Sequence, residues 1–239
     1  GGSASVIRSA VMFTFITIGQ SFDKRSSIYN SLAASAFVML CYNPYYLWDV
    51  GFQLSYCAVV GIIIFQKPLY DLMYVRYWLP DKIWQLASVS IAAQILTFPV
   101  CLYYFHQFPN LFLFTNMLAV PLSTVILFTE IALLAVAWHD LLALWLGKIC
   151  GALLWLMNEG ILFFNSFSFS VTDGIAANVW STWLLYIFIF CMAWWLLQKR
   201  SKMLLWALFF LLVYCVIIIV GKWQCYRQEK LIVYNVSKY

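Results

Sequence analysis

Long apolar runs, separated by short polar or charged segments, fill most of the chain. The clearest runs are residues 84–105, 111–137, 179–197 and 203–220, in which Glu130 is the one charged residue. A bilayer core about 30 Å thick needs roughly 20 apolar residues of helix, because each residue adds about 1.5 Å to its length. Each of these four runs is therefore predicted to be a transmembrane helix.

Four further runs are shorter or are interrupted by a polar residue, and they are residues 4–20, 28–42, 52–65 and 148–167. With these included, the chain has about eight membrane segments. The pattern predicts an all-α fold, a polytopic transmembrane helix bundle that occupies residues 1–221.

The composition agrees with this pattern, since 65% of the residues are hydrophobic and only 10% are charged. A soluble domain carries about a quarter charged residues, because its surface faces water. The composition therefore excludes an ordinary soluble domain.

The placement of Lys and Arg predicts an orientation. With eight spans, the loops alternate between two sides of the membrane, and the loops at residues 43–51, 106–110 and 168–178 contain no Lys or Arg. The nine cationic residues of the other side are Lys24, Arg25, Lys67, Arg76, Lys82, Lys148, Lys199, Arg200 and Lys202. Because cytoplasmic loops are enriched in Lys and Arg, both chain ends are predicted to be extracytoplasmic.

Two regions between the spans have a less certain form. Residues 66–82 carry aliphatic and aromatic side chains among several charges, which favours either an interfacial amphipathic helix or a connecting loop with aromatic anchors. Pro99, Pro109 and Pro121 fall in or beside the middle spans. They predict kinked helices, or a re-entrant turn around His106.

Residues 222–239 differ from the spans before them. Residues 230–239 are too short to cross a membrane and are rich in β-branched and aromatic side chains, which is typical of a strand. The segment is predicted to be an extracytoplasmic tail that begins a β-rich domain not included here. The chain also begins without an initiating methionine, which suggests that it is a piece of a longer protein.

Polar residues inside apolar spans are costly and are therefore functional candidates. Arg8 has the ordinary alternative of extending to the outer interface, and Glu130 that of reaching water near the inner end of its span. The candidates are Arg8, Asp49, Gln53, Gln94, Asn116, Glu130, Asn158 and Glu159.

Residues 43–56 form the densest local pattern of the chain. Asn43 is suited to cap a short helix opened by Pro44, Gly51 permits a break, and Asp49 is suited to cap the next helix. Such a broken helix is tolerated only where protein or a watery cavity surrounds it. The polar side chains brought together near the outer face are then Asp49, Gln53 and Ser55.

Signatures of enzymes and metal sites are absent from the sequence. The seven cysteines form no C-x-x-C pair, and His106 and His139 fall near opposite faces of the membrane. No H-E-x-x-H, G-x-S-x-G or P-loop occurs. We therefore expect no catalytic residue, no metal site and no cofactor.

Several motifs in the first half of the chain resemble the ComEC-type competence proteins. Residues 5–12 resemble the family segment S-V-x-R-A-x-x-M, with Ser9 as a departure, and residues 44–55 resemble P…D-x-G-F-Q-L-S. The later pattern, Q-x-x-T-x-P followed by N-x-x-x-x-P, is matched by Gln94, Thr97, Pro99, Asn116 and Pro121.

This resemblance implies the membrane core of a channel that carries single-stranded DNA across the bacterial cytoplasmic (inner) membrane during natural transformation. It also implies soluble domains before and after the membrane part, an oligonucleotide-binding-like one and, in many members, a metallo-β-lactamase-like one. The donors that would contact DNA weakly are Arg8, Gln53, Gln94 and Asn116, with Asp49 and Ser55 beside them. The expected partners are single-stranded DNA, membrane lipid, those missing domains, further copies of the chain and other proteins of the uptake complex.

Two other functions remain open from the residues alone. A proton-coupled transporter of small solutes would use Glu130 and Glu159 as its proton-carrying carboxylates. A membrane scaffold of an uptake complex would have no pore of its own. No nucleotide-binding motif is visible, so the energy for transport would come from a partner.

Overall fold

The computed structural model describes residues 4–22, 27–175, 177–198 and 201–227. Within these residues the chain forms eight α-helices, a short 3-10 helix at Pro44–Trp48 and a two-stranded sheet. The α-helices are α1 (Ala4–Phe22), α2 (Ile28–Tyr42), α3 (Val50–Tyr70), α4 (Trp78–Phe105), α5 (Phe112–Ala135), α6 (Asp140–Asn165), α7 (Val179–Gln198) and α8 (Ser201–Tyr226). The strands are β1 (Phe108–Pro109) and β2 (Val171–Thr172).

The predicted all-α, polytopic fold is confirmed. Every run predicted to be a span corresponds to one helix, with ends that differ by a few residues, and six helices, α3 to α8, are long and apolar enough to cross a membrane. The apolar parts of the first two helices are shorter, Val6–Gly19 in α1 and Ile28–Tyr42 in α2.

The helices pack as consecutive hairpins, α1 with α2, α3 with α4, α5 with α6, and α7 with α8. α4 joins three of the hairpins, because it also lies against α5 and α7. α1 and α3 touch over a short stretch, and the Pro44–Trp48 helix contacts both α2 and α3. The first hairpin is thus attached to the others mainly near the start of α3.

The closest helix contact joins α3 and α4. Gly61 of α3 lies so near α4 that a Cβ added to it would be 2.5 Å from the carbonyl oxygen of Ala92. Ala87, Ser88 and Ala92 of α4 are buried. Small residues let helix backbones approach closely where the lipid provides no hydrophobic driving force.

Hydroxyl groups within the apolar helices bond to carbonyl oxygens of the preceding turn. Thr14 Oγ1 donates to Ala10 O at 2.7 Å, and Ser88 Oγ donates to Gln85 O at 2.8 Å. These bonds let polar side chains lie in a span without an unsatisfied donor.

The sheet joins two loops at one end of the bundle. β1 and β2 are antiparallel, with Phe108 opposite Thr172. Asn110 adds two side-chain bonds from Nδ2, to Phe169 O at 2.7 Å and to Thr172 Oγ1 at 2.8 Å. We call this end the sheet end. Because α3 and α4 form a hairpin and α4 leads into β1, the start of α3 lies at the sheet end too.

An interfacial amphipathic helix at residues 66–82 is not formed. α3 continues through Pro68 to Tyr70 and α4 begins at Trp78, so that only the turn and coil residues 71–77 remain between them. The alternative of a connecting loop is correct, because the two long helices take up both ends of the segment. Its aromatic side chains Tyr74 and Tyr77 are exposed.

The middle spans contain no re-entrant turn. α4 and α5 each run as one helix past Pro99 and Pro121, and each is long enough to cross in a single pass. The chain reverses between them at His106, which caps α4 in the left-handed conformation with φ 53°. A left-handed residue at the end of a helix lets the chain turn sharply while backbone carbonyl groups of the last turn keep hydrogen-bond partners.

Some predictions lie outside the described residues. These concern Lys24, Arg25, Lys199, Arg200 and the strand at residues 230–239. The helical part of the chain extends past the predicted boundary at Gly221, since α8 ends at Tyr226.

Candidate functional site

The segment between α2 and α3 has the two helix caps that the sequence predicted. Asn43 Oδ1 accepts the backbone N–H of Tyr45 at 3.0 Å at the start of the Pro44–Trp48 helix. Asp49 Oδ1 accepts the N–H of Phe52 at 2.7 Å and caps α3. These short polar side chains satisfy backbone donors that the helix itself leaves free.

Arg8 of α1 forms an ion pair with Asp49, its Nη1 donating to Oδ1 at 2.9 Å. The Arg8 side chain is 7% exposed and that of Asp49 is 41% exposed. The Arg8 side chain is thus turned toward an anionic partner at the start of α3. Among the described residues, Arg8 Nε is buried and has no hydrogen-bond partner.

Gly51 makes room for this ion pair. A Cβ at position 51 would lie 2.6 Å from Arg8 Nη2 and 3.1 Å from Asp49 Oδ1. The helix break lies at Asp49 rather than at Gly51, which is already helical in the first turn of α3. The glycine is thus needed for the close approach of a side chain and not for a turn.

Two other predicted residues lie beside the pair and make local bonds. Gln53 Nε2 donates to Leu47 O at 2.9 Å and holds the Pro44–Trp48 helix against α3. Ser55 Oγ donates to Gly51 O at 2.7 Å. The structure therefore brings Arg8, Asp49, Gln53 and Ser55 together at the sheet end, as the sequence predicted for three of them.

A cavity of about 500 Å³ opens between α1 and α3 next to the ion pair. Its polar end is formed by Arg8, Ser9 and Ser55, and the rest of its wall is apolar. The apolar lining residues are Met12, Phe13, Ile16 and Val59. We call this the α1–α3 cavity.

The other predicted residues lie elsewhere. Gln94 of α4 lines a separate, mostly aromatic and aliphatic cavity of about 340 Å³ between α4 and α7, and Asn116 lies half-buried in α5. Glu130 accepts a weak bond from Cys150 Sγ at 3.9 Å, and Glu159 is exposed on α6, as is its neighbour Asn158. They do not join the group around Arg8.

Sequence reasoning missed two polar contacts between helices. Ser35 of α2 is fully buried and its hydroxyl lies 3.2 Å from the hydroxyl of Tyr56 in α3. Tyr186 of α7 donates to Leu96 O of α4 at 3.2 Å. Serine and tyrosine are common in membrane helices, and nothing in their spacing along the chain indicates these partners.

The part of the chain that the structure describes contains no group of three or more His, Cys, Asp or Glu side chains that could hold a metal ion. The chemistry that the described site offers is thus that of a buried guanidinium, a carboxylate, hydroxyls and an amide.

The fold and this site define a multi-pass membrane protein with an ion pair between two of its helices at one membrane face. The family model described as Competence protein matches residues 1–202. The chain therefore belongs to the competence protein family.

A curated relative is ComE operon protein 3 of Bacillus subtilis (strain 168). It is 30% identical over an alignment of 166 residues, and the match covers 62% of this chain and 20% of the relative. The match thus covers about one fifth of the length of that protein. No solved structure is significantly similar to the chain.

Proposed function

We propose that this chain takes part in DNA uptake during natural transformation, as the membrane core of a channel that carries single-stranded DNA across the cytoplasmic membrane. Membership of the competence protein family supports the role in DNA uptake. The observation that supports a channel is the buried Arg8 beside the α1–α3 cavity.

A cation inside an apolar helix is costly, and where one occurs it commonly faces a bundle interior or a water-filled path. Arg8 has a compensating anion in Asp49 and hydroxyl neighbours at one end of the cavity. A path for a polyanion needs donors that contact phosphates weakly, because tight binding would stop transport. An Arg that is already paired with a carboxylate is suited to contact phosphates weakly.

The remaining candidates would act further along the path. Gln94 would contact the strand from the second cavity between α4 and α7, and Asn116 from α5. We expect no catalytic step in these residues, and any nuclease activity would belong to a soluble domain outside the chain.

DNA uptake by variants of the full-length protein tests the proposal. We expect Arg8→Ala and Gln53→Ala to reduce transformation frequency at equal membrane levels. Arg76→Ala is the matched control, since Arg76 is exposed in the connection between α3 and α4. Normal uptake in both site variants would refute the proposed path.

Measurement of solute flux into liposomes distinguishes the alternative function, a proton-coupled transporter of small solutes, from a DNA channel. Proton-dependent movement of a small solute, lost in Glu130→Gln or Glu159→Gln, would favour that function over a DNA channel. Uptake of single-stranded DNA without any such flux would exclude it.

The proposed orientation places the sheet end outside the cytoplasm, with both chain ends on the same side. The described cations Lys67, Arg76 and Lys82 lie around the connection between α3 and α4, at the opposite end. In a cysteine-free background, a membrane-impermeant maleimide is expected to label Ser168→Cys in intact cells. Met73→Cys should react only after permeabilisation, and the reverse pattern would invert the topology.

The remaining partners belong to the whole protein. We propose that the membrane core works with soluble domains of the full-length protein, and with further copies or other uptake proteins. Co-purification of the full-length protein from membranes measures which proteins stay bound to it. Arg76→Ala is the neutral variant, and it should retain the same proteins.

A further inference from the structure

The ion pair between Arg8 and Asp49 leaves the guanidinium incompletely bonded. Its contact with the carboxylate runs from Nη1 to Oδ1 alone, and Nε is buried with no partner among the described residues. A guanidinium has five N–H donors in a fixed planar arrangement. A buried donor without an acceptor is unfavourable, so the Asp49 carboxylate alone does not satisfy the guanidinium of Arg8.

Asp49 depends on Arg8 much less than Arg8 depends on Asp49. The carboxylate also accepts the N–H of Phe52 at 2.7 Å, and its side chain is 41% exposed. The start of α3 and water would therefore continue to stabilise the anion if Arg8 moved away. Arg8 is nearly buried, and it needs another anion whenever it leaves Asp49.

A phosphodiester group meets that need. It carries one negative charge and two non-bridging oxygens, which can accept from two N–H groups of one guanidinium. The α1–α3 cavity reaches Arg8 and has the hydroxyl of Ser55 at the same end. A phosphate there would gain a second bond to the guanidinium, and Ser55, whose hydroxyl now donates to Gly51 O, could turn toward it.

We propose that Arg8 exchanges its partner, from the Asp49 carboxylate to a phosphodiester group that occupies the α1–α3 cavity. This inference rests on the proposed DNA channel for the identity of the ligand. Asp49 then acts as the competing anion, which keeps the affinity low and returns Arg8 to its resting position after each phosphate has passed. A pair that only stabilised the fold would have no such competition.

If Arg8 and Asp49 have these two roles, two variants of the full-length protein should change its affinity for a phosphodiester in opposite directions. Asp49→Asn keeps a good helix cap but removes the competing charge, so a phosphodiester should bind more tightly. Arg8→Gln removes the cation, so binding should weaken. If Arg8→Gln fails to fold, Arg8→Lys keeps the charge and loses the planar two-bond geometry, and binding should also weaken.

The measurement is the affinity of a fluorescent 12-nucleotide oligothymidylate for the protein in phosphatidylcholine nanodiscs at low salt. We expect about fivefold tighter binding in Asp49→Asn, and about tenfold weaker binding in Arg8→Gln, which is close to the lower end for one charge-assisted hydrogen bond. Asp140→Asn at the start of α6 and Arg76→Gln are matched controls with exposed side chains, and they should bind as the wild type does.

Phospholipid headgroups are the other source of phosphodiesters, and a second arm separates them. In nanodiscs that contain phosphatidylglycerol, native mass spectrometry reports how much of this lipid stays bound. Opposite changes in lipid retention, with unchanged oligonucleotide affinity, would support the exchange and assign it to lipid rather than to DNA.

Equal oligonucleotide affinities together with equal lipid retention in all variants, or weaker binding in both Asp49→Asn and Arg8→Gln, would overturn the exchange. If the wild type still takes up DNA in that case, the channel proposal stands and only the exchange fails. If the wild type neither binds the oligonucleotide nor supports uptake, the channel proposal itself fails.

Discussion

The packing of α3 on α4 predicts a large difference between two otherwise identical glycine substitutions. In Gly61→Ala, the new Cβ would lie 2.5 Å from the carbonyl oxygen of Ala92. That oxygen belongs to the backbone of α4, so it moves only if the helix moves. In Gly151→Ala, the new Cβ meets no atom within 4 Å.

The magnitude follows from two contributions. Both substitutions gain about 0.5–1 kcal/mol, because alanine is a better helix residue than glycine in a helix interior. Only Gly61→Ala adds an atom to a filled contact, which costs about 1–3 kcal/mol. Because the helix contribution cancels between the two variants, their difference isolates the packing cost of about 1–3 kcal/mol.

Thermal unfolding of the full-length protein in detergent measures this difference. One kcal/mol corresponds to about 2–4 °C for a domain of 150–250 residues, so in the unfolding transition of the membrane part Gly61→Ala should lie at least about 2 °C below Gly151→Ala. Equal unfolding temperatures would refute the close α3–α4 contact. Gly151→Ala should be as stable as the wild type or slightly more stable.

Two further substitutions test the sheet end. Gly51→Ala should displace Arg8, because the added Cβ would lie 2.6 Å from Arg8 Nη2. The free energy of unfolding should fall by about 1.5–3 kcal/mol and DNA uptake should decrease, and an unchanged melting curve would contradict this. Asn110→Ala removes two side-chain bonds and should raise the rate of proteolysis in the loop at residues 166–178 about fivefold, the equivalent of about 1 kcal/mol; an unchanged rate would mean that these bonds do not hold the loop.

The spans and the two caps could be predicted because their signals are local. An uncharged apolar run needs no knowledge of its neighbours to be identified as a helix. Asn43 and Asp49 likewise bond to backbone groups two and three residues away. Local signals left two alternatives open at residues 66–82, because the charged and aromatic residues there belong to two helix ends and a loop.

The contacts between helices could not be predicted. Arg8 and Asp49 are 41 residues apart, and Arg8 had a plausible alternative at the membrane interface. Gly51 was expected to break a helix, whereas its missing side chain accommodates Arg8. Such partners depend on how the hairpins are placed side by side. Because hydropathy is nearly uniform around these helices, it does not indicate which face of a helix contacts which neighbour.

The short sheet also limits how the bundle can move. β1 and β2, with the bonds of Asn110, join the α4–α5 connection to the α6–α7 connection. Separation of the α5–α6 hairpin from α4 and α7 is resisted at this end. Any rotation of that hairpin therefore has its pivot at the sheet, and its displacement grows along the helices toward the opposite membrane face.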